Sequence, residues 1–203
     1  MPNFNRRLLV AAALGALALA GCSKSGGAVD SADMTMGDPN AKVKMIEYAS
    51  LTCVHCGQFN NEVFPEFKKK YIDTGKVHYT FKEFLTAPAN VAAAGFVTAR
   101  CAGKDKYFGV VDSIFHAQQE MFTSGDIRGT LLRVAQSAGM SEQQFNACVS
   151  DEAALKAVNA RTEKAAREDG ITGTPAFVIN GKKIKEGEIS MAELDAAVAE
   201  ASK

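Results

Sequence analysis

Val43-Lys44-Met45-Ile46-Glu47-Tyr48-Ala49 runs almost directly into Cys53-Val54-His55-Cys56, and the junction between the two decides the fold. The first stretch reads as a strand. The second opens a segment in which Phe59, Val63, Phe67 and Tyr71 recur every four residues, the core stripe of an amphipathic helix. A C-x-x-C at a strand-to-helix junction puts its first sulfur among the unpaired N–H groups of a helix N-terminus, which stabilise a thiolate. A thiolate held beside a second thiol is the working part of a disulfide exchanger.

Working outward, Pro65 falls inside the apolar stripe and is expected to kink the helix. Asp73-Thr74-Gly75 ends it, and Val77 to Phe81 alternates as a second strand. From Ala87 to about Asp169 the chain is rich in Ala, Gln, Lys and Glu and reads as four or five helices. Gly103, Gly125, Gly129 and Gly139 punctuate this block, with N-caps at Ser124 or Asp126 and at Ser141. After Gly173-Thr174-Pro175, strand character returns in Ala176 to Ile179. Asn180-Gly181 is a hairpin turn, followed by a short strand from Lys182 to Lys185 and a terminal helix from Ser190 to Ala201. The expected class is α/β, a small mixed sheet from residues 41–86 and 170–203 interrupted by a helical insertion at 87–169.

The first residues read as a targeting segment. Arg6-Arg7 and the apolar run Leu8 to Leu19 form the n-region and h-region of an export signal, too short to span a bilayer. The run ends in Leu19-Ala20-Gly21-Cys22, which resembles a bacterial lipobox; the resemblance implies cleavage after residue 21 and lipid attachment at Cys22. Residues 22–40 read as a flexible tether. The expected location is the periplasm, on a lipid anchor, with the outer membrane favoured by Ser23. The chain has five cysteines, Cys22, Cys53, Cys56, Cys101 and Cys148, so lipid on Cys22 leaves an even set in an oxidising compartment. Acidic and basic residues balance at 23 each, which gives no basic excess for nucleic acid.

By itself a C-x-x-C suits half of a zinc site, a structural bridge or a redox pair. Zinc needs four ligands, and Cys101 and Cys148 stand far apart in a chain with three histidines, so no metal is expected. A bridge closing so small a loop would restrain the unfolded chain little. Three further features favour redox work. Glu47 alternates to the strand face opposite Ile46 and Tyr48, where a buried carboxylate could relay protons to the second thiol. Thr174-Pro175 suits a cis-proline whose preceding backbone pairs with a bound peptide. His55, inside the motif, could stabilise a Cys53 thiolate.

Together these residues resemble the DsbA-like branch of the thioredoxin superfamily, from about Val43 to Ala201. The resemblance rests on Cys53-Val54-His55-Cys56, Glu47 at the buried-acid position, the helical block at the family's insertion and Thr174-Pro175 at its cis-proline. Glu62-Val63-Phe64-Pro65 and the run Tyr71 to Val77 are similar to the subgroup of BdbD-type oxidoreductases. The family implies a thioredoxin fold and no cofactor, with Cys53 as the exposed nucleophile and Cys56 as the buried resolving cysteine. It also implies reduced or unfolded exported polypeptides as substrates and a membrane reoxidase of DsbB type; a monomer is the default. Val54 and Thr174 depart from the best-known members, so the direction of electron flow stays open between oxidase and reductase or isomerase. A non-enzymatic metal carrier or redox-regulated binding module is the alternative from another class. In an oxidising compartment Cys101 and Cys148 are expected to pair, closing a loop that would stabilise the fold by about 3–4 kcal/mol in the chain-entropy model.

Overall fold

The computed structural model describes residues 31–203. The export segment and Cys22 lie outside the described residues. Five strands form one sheet in the order β1-β3-β2-β4-β5: β1 Met34–Met36, β2 Val43–Ala49, β3 Val77–Glu83, β4 Ala176–Ile179 and β5 Lys182–Glu186. The central pair β2 and β3 runs parallel, while the flanking pairings are antiparallel. This is a thioredoxin fold with a helical insertion.

Strand alternation builds two cores, one on each face of the sheet. Met45, Tyr79, Phe81 and Phe177 enter the larger, and Ile46, Tyr48, Ala176 and Val178 enter the smaller, against Ala165 and Ile171. Glu47 lies opposite Phe81 on one side and Phe177 on the other, so its carboxylate points into the larger core.

The helix after the motif is not uniform. It proceeds as α1 Val54–Gln58, a π-turn Phe59–Val63, α2 Phe64–Phe67 and a second π-turn Lys68–Ile72. Pro65 sits in the first turn of α2, where the wider turn before it accommodates the missing N–H. The same wide turns explain the stripe. In a regular α-helix, steps of four overshoot a full turn by about 40° and would spiral off the core. Alternating π and α turns keep Phe59, Phe67 and Tyr71 buried on one side.

The insertion comprises α3 Ala89–Cys101, α4 Lys104–Ser124, α5 Ile127–Ser137, α6 Glu142–Val149 and α7 Glu152–Glu168. Asp126 caps α5, with Ser124 Oγ accepting from the Asp126 N–H, and Ser141 forms a capping box with Gln144 on α6. The last helix, α8 Met191–Ala201, has a second capping box from Ser190 and Glu193. Cys101 and Cys148 are joined as a disulfide between the ends of α3 and α6.

One expectation is corrected. Residues 34–36, read as part of the tether, form β1 against Met34↔Phe81, Thr35↔Thr80 and Met36↔Tyr79. Met34 is buried, and Arg100 donates from Nη2 to the Ala32 carbonyl at 3.0 Å, so the chain is fastened well before residue 40. A strand this short shows no period in the sequence.

Candidate active site

Cys53 is the N-cap of α1, in extended backbone, with its sulfur accepting from the Cys56 N–H at 3.3 Å. The Cys53 thiol is half-exposed and also donates to the Thr174 carbonyl at 3.3 Å, whereas Cys56 is fully buried; neither is in a disulfide. This asymmetry separates their acidities. Cys53 is lowered to about 6, first by the Cys56 side chain, against partial burial, then by Thr174 and the backbone N–H groups of Cys56 and His55. Cys56 is pushed well above its ordinary value, chiefly by burial and then by its neighbour's sulfur. Alkylation by iodoacetamide should therefore be confined to Cys53, rising with pH through a midpoint of about 6 and levelling off above it. A midpoint above 8 would remove the asymmetry.

Thr174-Pro175 is a cis peptide bond. The Thr174 hydroxyl is buried without a hydrogen-bond partner while Cys53 is a thiol, and it becomes a donor to the sulfur once Cys53 ionises. Behind the motif, Glu47 is 2 % exposed and accepts from the Tyr79 hydroxyl at 2.5 Å. Burial raises its pKa to about 8, the Tyr79 hydrogen bond opposing and the Cys53 charge adding, so at neutral pH it is mostly a neutral acid holding a proton.

His55 departs from its expected place. Its ring Nδ1 lies 2.6 Å from Glu188 Oε1 on the turn before α8. What His55 gives to the Cys53 sulfur comes from its backbone N–H.

Four residues of the site escape a reading of the sequence. Tyr79 orients Glu47. Gln118 of α4 donates from Nε2 to the Leu51 carbonyl at 2.8 Å and to the Cys53 carbonyl at 3.2 Å, fastening the motif to the insertion. Gly57 leaves room for it, since a Cβ there would stand 2.7 Å from Gln118 Oε1. Glu188 meets His55. Val54 is 68 % exposed beside the sulfur, an apolar contact open to a substrate. Among the described residues no cluster of His, Cys, Asp and Glu is arranged to hold a metal, and no helix is long and apolar enough to cross a membrane.

The arrangement can therefore hold a thiolate, exchange it with a disulfide and keep a proton nearby. Comparison with known proteins shows the family to which the chain belongs. The sequence model of the Thioredoxin family matches residues 30–200. A Rickettsia conorii protein named "Putative protein-disulfide oxidoreductase" is 33 % identical over 171 residues, which cover 84 % of this chain and 60 % of the relative. The chain thus spans only part of that relative's length. The crystal structure of Wolbachia pipientis alpha-DsbA1 superposes with a TM-score of 0.78 at 29 % identity, covering 85 % of this chain and 92 % of that one. Bacillus subtilis BdbD, at 20 % identity and a TM-score of 0.74 over 87 % of this chain and 96 % of its own, shares the fold. This chain belongs to the thioredoxin family, within its DsbA-type branch of disulfide oxidoreductases.

Proposed function

We propose that this protein is a thiol-disulfide oxidoreductase that donates disulfides to exported polypeptides. The observation that carries the reading is the unequal pair: a half-exposed Cys53 lowered to about 6 beside a buried Cys56 pushed far upward, with Thr174-Pro175 against the first sulfur. A substrate thiolate attacks Cys53 of the Cys53–Cys56 disulfide. The S–S bond breaks, and its electron pair leaves with Cys56, which takes up a proton; Glu47 is the nearby acid that can supply it. A second substrate thiolate then attacks the substrate sulfur of the mixed disulfide and expels the Cys53 thiolate. The substrate gains a disulfide, and two electrons remain on the enzyme dithiol. A quinone-linked membrane partner of DsbB type removes them. The low pKa of Cys53 supports this direction, because a stabilised thiolate favours the reduced enzyme and makes its disulfide oxidising.

Catalytic roles for Cys53, Cys56 and Glu47, with substrate contact at Thr174 and Pro175, form one reading with the fold. Kinship with the BdbD-type subgroup and a monomeric state belong to it as well. Two measurements test it. The redox equilibrium of the pair against glutathione should give a potential near the about −120 mV of an oxidant; one near about −270 mV would make the protein a reductase instead. Replacing the resolving cysteine, Cys56→Ser, should trap exported proteins on Cys53 as mixed disulfides, and the absence of adducts would sink the enzyme reading. The proposed periplasmic anchor rests on the Leu19-Ala20-Gly21-Cys22 sequence. Mass spectrometry of the mature N-terminus should find a diacylglyceryl group on Cys22; an unmodified N-terminus elsewhere would refute the anchor.

A further inference from the structure

We propose that Glu188 is a positioning residue that restrains His55 and so limits how oxidising the Cys53–Cys56 pair becomes; this rests on the oxidoreductase reading above. Glu188 follows Gly187, which turns the chain with φ +106° between β5 and α8. From there it faces α1 across a cleft of about 350 Å³ and meets His55 Nδ1 at 2.6 Å. The other charged groups lining that cleft are engaged elsewhere. Glu62, on the first π-turn, accepts from Gln58 Nε2 at 3.3 Å. Glu193 of α8 is held by Lys185 of β5 at 2.7 Å and by the Ser190 N–H at 2.9 Å. His55 is the group that Glu188 meets.

The imidazole Nδ1–H can be donated once. In this geometry Nδ1 stands 2.6 Å from a carboxylate oxygen, while the Cys53 sulfur receives the Cys56 N–H and has the Thr174 hydroxyl beside it. The ring sits two residues after the sulfur on the first turn of α1, so without Glu188 it can turn to the thiolate. That would stabilise the reduced form and raise the oxidising power of the disulfide. Both partners are more than half exposed, at 57 % and 63 %, so the effect is that of a surface pair. Equilibria respond to such pairs by about two- to fivefold.

The experiment measures the glutathione equilibrium and the thiolate absorbance titration of Cys53 in four proteins: unaltered, Glu188→Gln, His55→Ala and the double variant. Glu188→Gln should move the equilibrium about two- to fivefold toward the dithiol and lower the Cys53 midpoint. Glu188→Asp, which keeps the charge, should stay closer to the unaltered protein. In the His55→Ala background, replacing Glu188 should change neither quantity. Three results would overturn the proposal: no shift, a shift toward the disulfide, or a shift that persists without His55. The last would mean that the carboxylate acts on the sulfur directly. If the unaltered pair does not exchange with glutathione at all, the oxidoreductase reading fails instead, and the two failures are thereby distinct.

Discussion

Replacing Glu83 by alanine should destabilise the protein by about 3–5 kcal/mol while leaving the redox motif chemically intact. Glu83 ends β3 with its side chain 1 % exposed. One carboxylate oxygen accepts from Arg100 Nε of α3 at 2.6 Å and from the Tyr107 hydroxyl of α4 at 2.9 Å. The other accepts from Arg161 Nε of α7 at 2.7 Å. Three insertion helices thus converge on one group at the end of a central strand. Removing it leaves two largely buried guanidinium groups and a fully buried hydroxyl without their acceptor, which costs more than the pair contributes when intact. Glu83→Gln keeps the shape but turns an amide N–H toward an arginine, so it should fall between the two proteins. Urea unfolding reads both: the midpoint should drop with little change in slope. A loss below about 1 kcal/mol for Glu83→Ala would show that the helices hold to the sheet by apolar packing alone.

How much of this was legible in the sequence follows the range of the interactions. The strand, the C-x-x-C and the apolar stripe are local, so period and spacing expose them. Glu47 was legible because alternation along β2 fixes its face, whatever surrounds it. Its partner Tyr79 was not, since it lies 32 residues away on a strand whose register the sequence does not state. Gln118 reaches the motif across 67 residues and is, in sequence, one of two adjacent glutamines on a helix. Glu83 lies two residues beyond the strand read at Val77 to Phe81 and gives no sign in sequence of the three helices that meet it. For His55, proximity to Cys53 in sequence suggests a side-chain contact that the Glu188 pair pre-empts. The π-turns left a faint trace, in a stripe that repeats every four residues rather than at mixed spacings of three and four. β1 left none.

As pH rises from about 4.5 toward 8 the oxidised protein should lose stability, over a window slightly narrower than the dithiol's because no Cys53 charge adds to burial there, and Glu47→Gln should abolish most of that loss. The sign follows from the proton count. Unfolded, Glu47 releases its proton near 4.5; folded, burial holds the proton until about 8. Within that window the native state binds more protons than the unfolded state, so raising the pH favours unfolding. Integrated over the window, the loss is on the order of 4 kcal/mol. Glutamine keeps an acceptor for the Tyr79 hydroxyl and does not titrate. In the dithiol form Cys53 opposes the trend. Its folded value of about 6 lies below the unfolded 9, so its contribution grows as pH rises through that interval, reduced by solvent screening of the half-exposed sulfur. The stability of the dithiol form relative to the disulfide form should accordingly increase above pH 6. Thermal or urea unfolding of both forms across pH 5–9 measures each trend. A disulfide form whose stability is flat from pH 5 to 8 would mean that Glu47 is not held as a neutral acid. The same proton matters to turnover. Substrate oxidation by Glu47→Gln should slow by about a hundredfold, the lower end for a positioned acid or base, and lack the decline above about pH 8 expected of the unaltered protein as Glu47 gives up its proton. Unchanged rates together with an altered stability profile would make Glu47 a structural acid, and Cys56 would then take its proton from solvent.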